Sequence, residues 1–392
     1  MISVEEAKNL VLTGVFKQQK VLVNIQSALN FFLADDIIAG FSVPLFNQSA
    51  MDGYAFKFQD VNKSLNIVDE VAAGDVRVVK IKQGEAIRIF TGSKVPDSCD
   101  TVVMQELTEI INNQLIVKDD GLKSGGNIRK KGYQLKKGDV ALKKGTLITP
   151  AAIGFMATLG IQEVNVYELP KVYIIATGSE LMPLGSKLKE GQIFESNTHM
   201  LCSALEKLAI QPIIYTVKDN QQETEQLIKE ALTKGDLLIL SGGISVGDYD
   251  FVKESLVKNQ VKEVFYKIKQ KPGKPLFYGQ KGEKNIFALP GNPAAALNCF
   301  YMYVYPAIQL MLGASEPFLP MIKLPLENKF VKKEGRSHFL KAKLWGNTVK
   351  LLEGQDSDAL QSFALANALV YIPAEKITIE QHELVDVYLL PN

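Results

Sequence analysis

Three runs of small and polar residues in the second half of the chain each follow an apolar, β-branched segment. KVYIIA leads into Thr177-Gly178-Ser179-Glu180, and NIFAL into Pro290-Gly291-Asn292-Pro293. Between them, DLLIL leads into Ser241-Gly242-Gly243-Ile244-Ser245-Val246-Gly247-Asp248-Tyr249-Asp250. In an open parallel α/β sheet, ligands bind beyond the carboxyl ends of the strands, which is where these runs are expected. The longest run is the most informative. Its glycines let backbone N–H groups approach an anion closely, and a following helix adds its positive N-terminal end. It is neither a P-loop, lacking the Gly-Lys-Ser/Thr ending, nor a G-x-G-x-x-G fingerprint. The plain alternative is an ordinary strand-to-helix turn with Asp250 as helix cap.

Carboxylates at strand ends suggest a cation. Glu180, Asp219, Asp248 and Asp250 are spaced to meet across one sheet, and oxygen-only ligands favour Mg²⁺ bridging to substrate phosphates. Each is also a reasonable helix cap or solvated acid. Lys271-Pro272-Gly273-Lys274-Pro275 puts two cations on a proline-stiffened loop, suited to phosphate or another oxyanion. An exposed basic turn is its bland counterpart. Nearer the N-terminus, Asn47-Gln48-Ser49-Ala50-Met51-Asp52-Gly53-Tyr54-Ala55 surrounds an Asp-Gly turn, and Thr91-Gly92 follows the strand-like AIRIF. Neither names a chemistry unaided. No Ser, His and Asp combination suggests a nucleophile triad, and His199 reads as a structural helix residue.

These residues need elements to hold them. Ser3 with Glu6 forms a capping box for a helix to about Leu12, and Ile25 to Leu33 shows helical spacing. From Pro44 to about Lys144, short β-rich runs alternate with Gly and Asp turns, which predicts a small β domain. Thr149-Pro150 starts a helix that stops at Gly160, so the flanking segments are expected to form one domain interrupted by the β insertion. From Lys171 strands and helices alternate, which predicts a parallel sheet covered on both faces. After Pro317-Phe318-Leu319-Pro320, short β runs return to the end.

The 392 residues suggest two to four domains, and 46% hydrophobic residues suffice for real cores. With 44 Lys+Arg against 43 Asp+Glu, the net charge of +1 argues against nucleic-acid binding by bulk attraction. Cys99, Cys202 and Cys299 are too scattered for a disulfide framework or a zinc site. No secretory signal is visible in MISVEEAKNL, so a cytoplasmic location is the default. The uncharged stretch from Asn285 to Ser315 is interrupted by Pro290, Gly291, Asn292, Pro293, Asn298 and Pro306. It reads as a loop entering a buried helix rather than a membrane span.

Taken in order, Ser49 to Ala55, Thr91-Gly92, Thr177 to Leu181, Ser241 to Asp248, Lys271 to Pro275, Leu289 to Pro293 and Gly335-Arg336 resemble the MoeA/gephyrin family of molybdopterin molybdenumtransferases. The resemblance spans nearly the whole chain. It implies a multidomain α/β plus β fold. A three-layer α/β/α molybdopterin-binding (MoaB/Mog-like) domain would occupy 171–316 and a β-barrel-like C-terminal domain 317–392. An elongated N-terminal domain would comprise 1–45 and 145–170, interrupted by a β domain at 46–144. The implied activity is insertion of molybdate, a substrate, into adenylylated molybdopterin with release of AMP, the final step of molybdenum cofactor synthesis. The implied assembly is a homodimer without membrane or nucleic-acid partners. Further implied partners are the adenylyltransferase that makes the substrate and the enzymes that accept the cofactor.

The resemblance also assigns roles. Glu180, Asp219 and Asp250 would bind Mg²⁺ and serve the reaction. Lys271, Lys274 and Arg336 would hold molybdate, with Ser357 nearby. Ser241, Gly242, Gly243, Ser245, Asp248, Pro290, Asn292 and Pro293 would line the substrate site. Asp52 and Thr91 would reach the partner's site and act in catalysis there. Three departures stand out: Ser179 replaces an acid, Ala294 and Ala295 follow Pro293, and Asp356 and Asp358 flank Ser357, where acids disfavour an anion. Competing readings are an adenylyltransferase, a non-enzymatic scaffold and a broader pterin- or nucleotide-binding pyrophosphatase. The first would carry Gly-Gly-Thr-Gly where this chain has Gly-Gly-Ile-Ser.

Overall fold

A computed structural model of the protein describes residues 1–244, 251–333 and 335–391. The chain forms two compact units. One contains Met1–Ala34, Gly145–Ile153 and everything from Glu163 onward; the other contains Asp35–Lys144 and Gly154–Gln162.

The larger unit is built on a six-stranded sheet. Its strands are β1 (Val172–Thr177), β2 (Ile213–Val217), β3 (Leu237–Ser241), β4 (Lys262–Tyr266), β5 (Phe277–Lys281) and β6 (Lys284–Leu289), in the order β2-β1-β3-β6-β5-β4. The first four neighbours are parallel, with Ala176 opposite both Thr216 and Ser241, and Ser241 opposite Leu289. The expected all-parallel sheet needs a correction here. β5 runs antiparallel to both β6 and β4, because Gly282 in the left-handed region (φ 59°) closes a hairpin that returns the chain at once.

Alternate side chains of each strand point to opposite faces, which divides the core in two. Val172, Ile174, Leu237 and Ile239 pack with helix α1 (Asn197–Glu206) and with the buried segment after Pro293. Tyr173, Ile175, Leu238 and Leu240 pack with helices α2 (Gln221–Lys234) and α3 (Phe251–Lys258). This is the three-layer α/β/α arrangement. The uncharged stretch becomes β6 followed by helix Pro293–Cys299, a π-helical turn Phe300–Val304 and helix Tyr305–Met311. The widened turn ends two residues before Pro306, whose ring nitrogen cannot donate to the preceding turn. No helix among the described residues is long and apolar enough to cross a membrane.

The N-terminal helix Val4–Gly14 begins as expected, with the Glu6 N–H donating to Ser3 Oγ at 3.0 Å. Ile25 to Leu33 does not form the expected helix. Only a 3-10 turn, Ile25–Ser27, appears, and Asn30 adopts φ 68°, which ends helical progress. Ile25, Ala28 and Leu33 are buried all the same. Their spacing reported burial, not helix. Lys20–Asn24 pairs antiparallel with Glu163–Tyr167, joining the segments on either side of the β-rich region.

A second, mostly antiparallel sheet of six strands in the larger unit takes five strands from Met321 onward and the sixth from Gln270–Lys271. It includes Ser337–Trp345, Ala368–Ile372 and Leu384–Leu389. The smaller unit holds a six-stranded sheet in which Gly53–Phe56 lies between Thr101–Met104 and Glu85–Ile89. Gly53 is obligatory there, since a Cβ would come within 1.8 Å of the Val103 carbonyl oxygen.

Candidate functional site

A cavity of about 660 Å³ opens at the carboxyl ends of β1, β3 and β6. Thr177 ends β1 and Gly178 and Glu180 follow it, while Asp219 follows β2. Ser241 ends β3 and Gly242 and Gly243 follow it, and Pro290 to Pro293 follow β6. Lys271, Lys274, Arg336, Ser357 and Asp358 complete the far side. Most of the expected residues thus converge on one space, with Glu180 and Asp219 following β1 and β2 and the cations sharing the other side with Asp358. Ser245, Asp248 and Asp250 lie outside the described residues.

Each loop is shaped by its local sequence. Gly242 and Gly243 adopt φ 91° and 62°, and a Cβ on either would strike Thr177, at 2.6 Å from its carbonyl oxygen and 2.8 Å from its Oγ1. The paired positive φ values require glycine and leave backbone unshielded beside the cavity. Ser179 and Asp219 tie the first two loops reciprocally: the Ser179 N–H donates to Asp219 Oδ2 at 3.0 Å, and the Asp219 N–H to Ser179 Oγ at 3.1 Å. The departure at Ser179 therefore has a structural role. Among the described residues no group of three His, Cys, Asp or Glu side chains is gathered to hold a metal ion. Glu180 and Asp219 remain as two exposed carboxylates on the cavity wall.

The lysine loop is anchored from below. Buried Gln270 donates through Nε2 to the carbonyls of Pro272 and Gly273, both at 3.1 Å, and its Oε1 accepts from Tyr303 at 2.5 Å. Asn298 Nδ2 donates to the Pro272 carbonyl at 3.4 Å. Lys271 and Lys274 are exposed above this anchor. Gln270–Lys271 pairs parallel with the start of Ser337–Trp345, opposing Gln270 to Ser337 and Lys271 to His338. Lys271 thereby lies on one strand, and Arg336 directly precedes the strand paired with it.

Ser357 joins the site through Asn292, whose Nδ2 donates to Ser357 Oγ at 2.6 Å, while the Ala295 N–H donates to the Ser357 carbonyl at 3.0 Å. The serine hydroxyl proton is left to donate elsewhere. Asp358 shares the wall, and the Asp356 carbonyl accepts from buried Lys341 at 3.0 Å. Burial lowers the Lys341 pKa, opposed by Asp356 and Asp358.

In the smaller unit, Asp52 Oδ1 accepts from both the N–H and the Oγ1 of Thr91, each at 2.7 Å. Those two hydrogen bonds, aided by the Arg88 charge, hold the exposed Asp52 carboxyl below the usual range.

The family model "MoeA N-terminal region (domain I and II)" matches residues 2–160. "Probable molybdopterin binding domain" matches 173–310, and "MoeA C-terminal region (domain IV)" matches 323–390. A molybdopterin molybdenumtransferase of Staphylococcus aureus (strain Mu50) is 34% identical over 400 residues, covering 99% of this chain and 95% of its own. The chain belongs to the MoeA family. A Staphylococcus epidermidis relative of the same name is 33% identical with the same coverage. A crystal structure of a molybdopterin biosynthesis MoeA protein from Pyrococcus horikoshii OT3 superposes with a TM-score of 0.87 at 28% identity. That match covers 99% of this chain and 100% of the other.

Within this MoeA-family site, Asn197 was missed from sequence. It is buried at the start of α1, lines the cavity and donates to Ser241 Oγ at 2.9 Å and the Gly291 carbonyl at 2.8 Å. It therefore ties the β3 loop to the β6 loop. Ile193 and Phe194 were missed as well; with Leu181 they form an apolar two-stranded ribbon on the wall. The polar triplet Glu195-Ser196-Asn197 before an apolar helix was the available signal.

Proposed function

We propose that this MoeA-family chain is a molybdopterin molybdenumtransferase. It inserts molybdate into adenylylated molybdopterin and releases AMP, the last step of molybdenum cofactor synthesis. The observation that supports this most is that Lys271, Lys274 and Arg336 share one cavity with the Gly242-Gly243 turn and the carboxylates of Glu180 and Asp219. Molybdate is a dianion, and a planar guanidinium with two ammonium groups suits its oxygens. The positive-φ glycines allow backbone N–H groups to meet phosphate oxygens. Ser241, Pro290, Asn292, Pro293 and Ser357 shape the remaining wall. Ser357, whose Oγ accepts from Asn292, keeps its hydroxyl proton for an oxyanion, against the opposing charge of Asp358 on the same wall.

Glu180 and Asp219 supply the oxygen donors that Mg²⁺ prefers, together with substrate phosphates. Bound there, Mg²⁺ would offset the phosphates' negative charge. In this reading the chain acts in the cytoplasm as a homodimer. Asp52 and Thr91 complete the site of the partner subunit, and the domains divide at about 45, 144, 170 and 316. Substrate comes from a molybdopterin adenylyltransferase, and product passes to cofactor-accepting enzymes.

The test is AMP release by the purified chain with adenylylated molybdopterin, Mg²⁺ and molybdate. Release that depends on molybdate, accompanied by active cofactor, is expected. Release at the same rate without molybdate would instead make the chain a pyrophosphatase.

A further inference from the structure

The N-terminal helix Val4–Gly14 plays no part in the cavity wall, yet it carries an unusual lysine. Lys8 Nζ lies 4.6 Å from the ring centre of Tyr388, 5.2 Å from Phe318, 5.8 Å from Tyr371 and 5.9 Å from Phe339. It also donates to the Tyr388 hydroxyl at 2.7 Å. Four aromatic rings around one ammonium form a cation–π cage, three from the C-terminal sheet and Phe318 from the segment just before it. Burial pushes the Lys8 pKa down to about 8, opposed by Glu5 and Asp386. One helical turn earlier, Glu5 accepts from the Tyr371 hydroxyl, so the Ser337 hydroxyl, 3.2 Å from that oxygen, is the donor in their contact.

Ser337 directly follows Arg336 and opposes Gln270, the neighbour of Lys271. The same N-terminal segment reaches the lysine loop by its backbone. The Ile2 N–H donates to the Lys267 carbonyl at 3.3 Å, and the Lys269 N–H to the Ile2 carbonyl at 2.8 Å. The Ser337 N–H in turn donates to the Lys269 carbonyl at 3.1 Å. One short segment therefore grips, from behind, both strands that present the cavity's cations.

We propose that Glu5 and Lys8 are positioning residues for the oxyanion end of the cavity, bracing the strands that present Lys271 and Arg336 to molybdate. The proposal rests on the molybdate reading above. Its test is titration calorimetry with sodium molybdate on the wild type, Lys8→Met and Lys8→Arg, followed by turnover assays. Loss of the caged charge in Lys8→Met should weaken molybdate binding by about tenfold and raise the KM for molybdate alike. The kcat at saturating molybdate should be unchanged. Lys8→Arg, which keeps a cation among the rings, should restore most of the affinity. If Lys8→Met does not fold, Tyr371→Phe removes only the link from Glu5 to Ser337 and should weaken molybdate several-fold. Unchanged molybdate affinity in the folded variants would overturn this inference alone, as would loss of kcat without a change in KM. A wild type that binds no molybdate would overturn the functional reading as well.

Discussion

Gly273 should be among the least replaceable residues of the cation loop. It adopts φ 86°, and a Cβ there would lie 2.4 Å from Cys299 Sγ and 3.0 Å from Gln270 Nε2. Placing an L-residue in the left-handed region costs roughly 1–2 kcal/mol. Overpacking a buried site adds about 1–3 kcal/mol, so Gly273→Ala should destabilise the larger unit by about 2–5 kcal/mol. The Cys299 thiol is buried and its pKa is raised, so it is neutral and the clash is steric. Trimming that sulfur in Gly273→Ala/Cys299→Ala should recover the packing part while leaving the backbone part. A double-mutant cycle in urea, followed by far-UV circular dichroism, should give a favourable coupling of about 1–3 kcal/mol. The displaced Gln270 amide also holds the Pro272 and Gly273 carbonyls, so molybdate affinity should fall together with stability. Strictly additive single variants, or Gly273→Ala as stable as the wild type, would refute this account.

Two other outcomes follow from the proposed roles. If Asp52 completes the partner's site, an equal mixture of Asp52→Ala and Lys271→Ala chains should recover about a quarter of wild-type turnover, because half the randomly paired dimers hold one intact site of two. Turnover no higher than that of either variant alone would place Asp52 in the site of its own chain or outside catalysis. Thr91→Val removes one of the two donors to Asp52 and should raise its carboxyl pKa toward the ordinary range, read by carbon NMR titration. A depressed carboxyl pKa adds stability at neutral pH that fades as pH falls through the folded value. The variant should therefore lose this contribution at a higher pH than the wild type. A pKa that does not move would show that the backbone N–H and the Arg88 charge set it without the hydroxyl.

The parts of the fold legible from sequence were those governed by local rules. The Ser3 cap with Glu6, the Thr149-Pro150 helix start and the alternating strands of the α/β region each depend on neighbours within a few residues. Cavity residues were legible for a related reason: glycines with positive φ and loops at strand ends are needed wherever backbone must meet a ligand, so Gly242, Gly243 and the lysine loop could be read directly. The failures have one cause in common. Ile25 to Leu33 carried helical spacing, yet its apolar residues are buried through bridges such as Phe32 with Leu147 and Leu33 with Val166, partners more than 110 residues away. β5 was missed because its pairing with β6 depends on a turn at Gly282, and Asn197 because its two acceptors, Ser241 and Gly291, are remote in sequence. The polar triplet Glu195-Ser196-Asn197 marks a helix start but not the two loops that its asparagine joins, since that value lies in contacts that folding creates. The Lys8 cage follows the same logic: a lysine on an amphipathic helix reads as solvated until four rings from the other end of the chain enclose it.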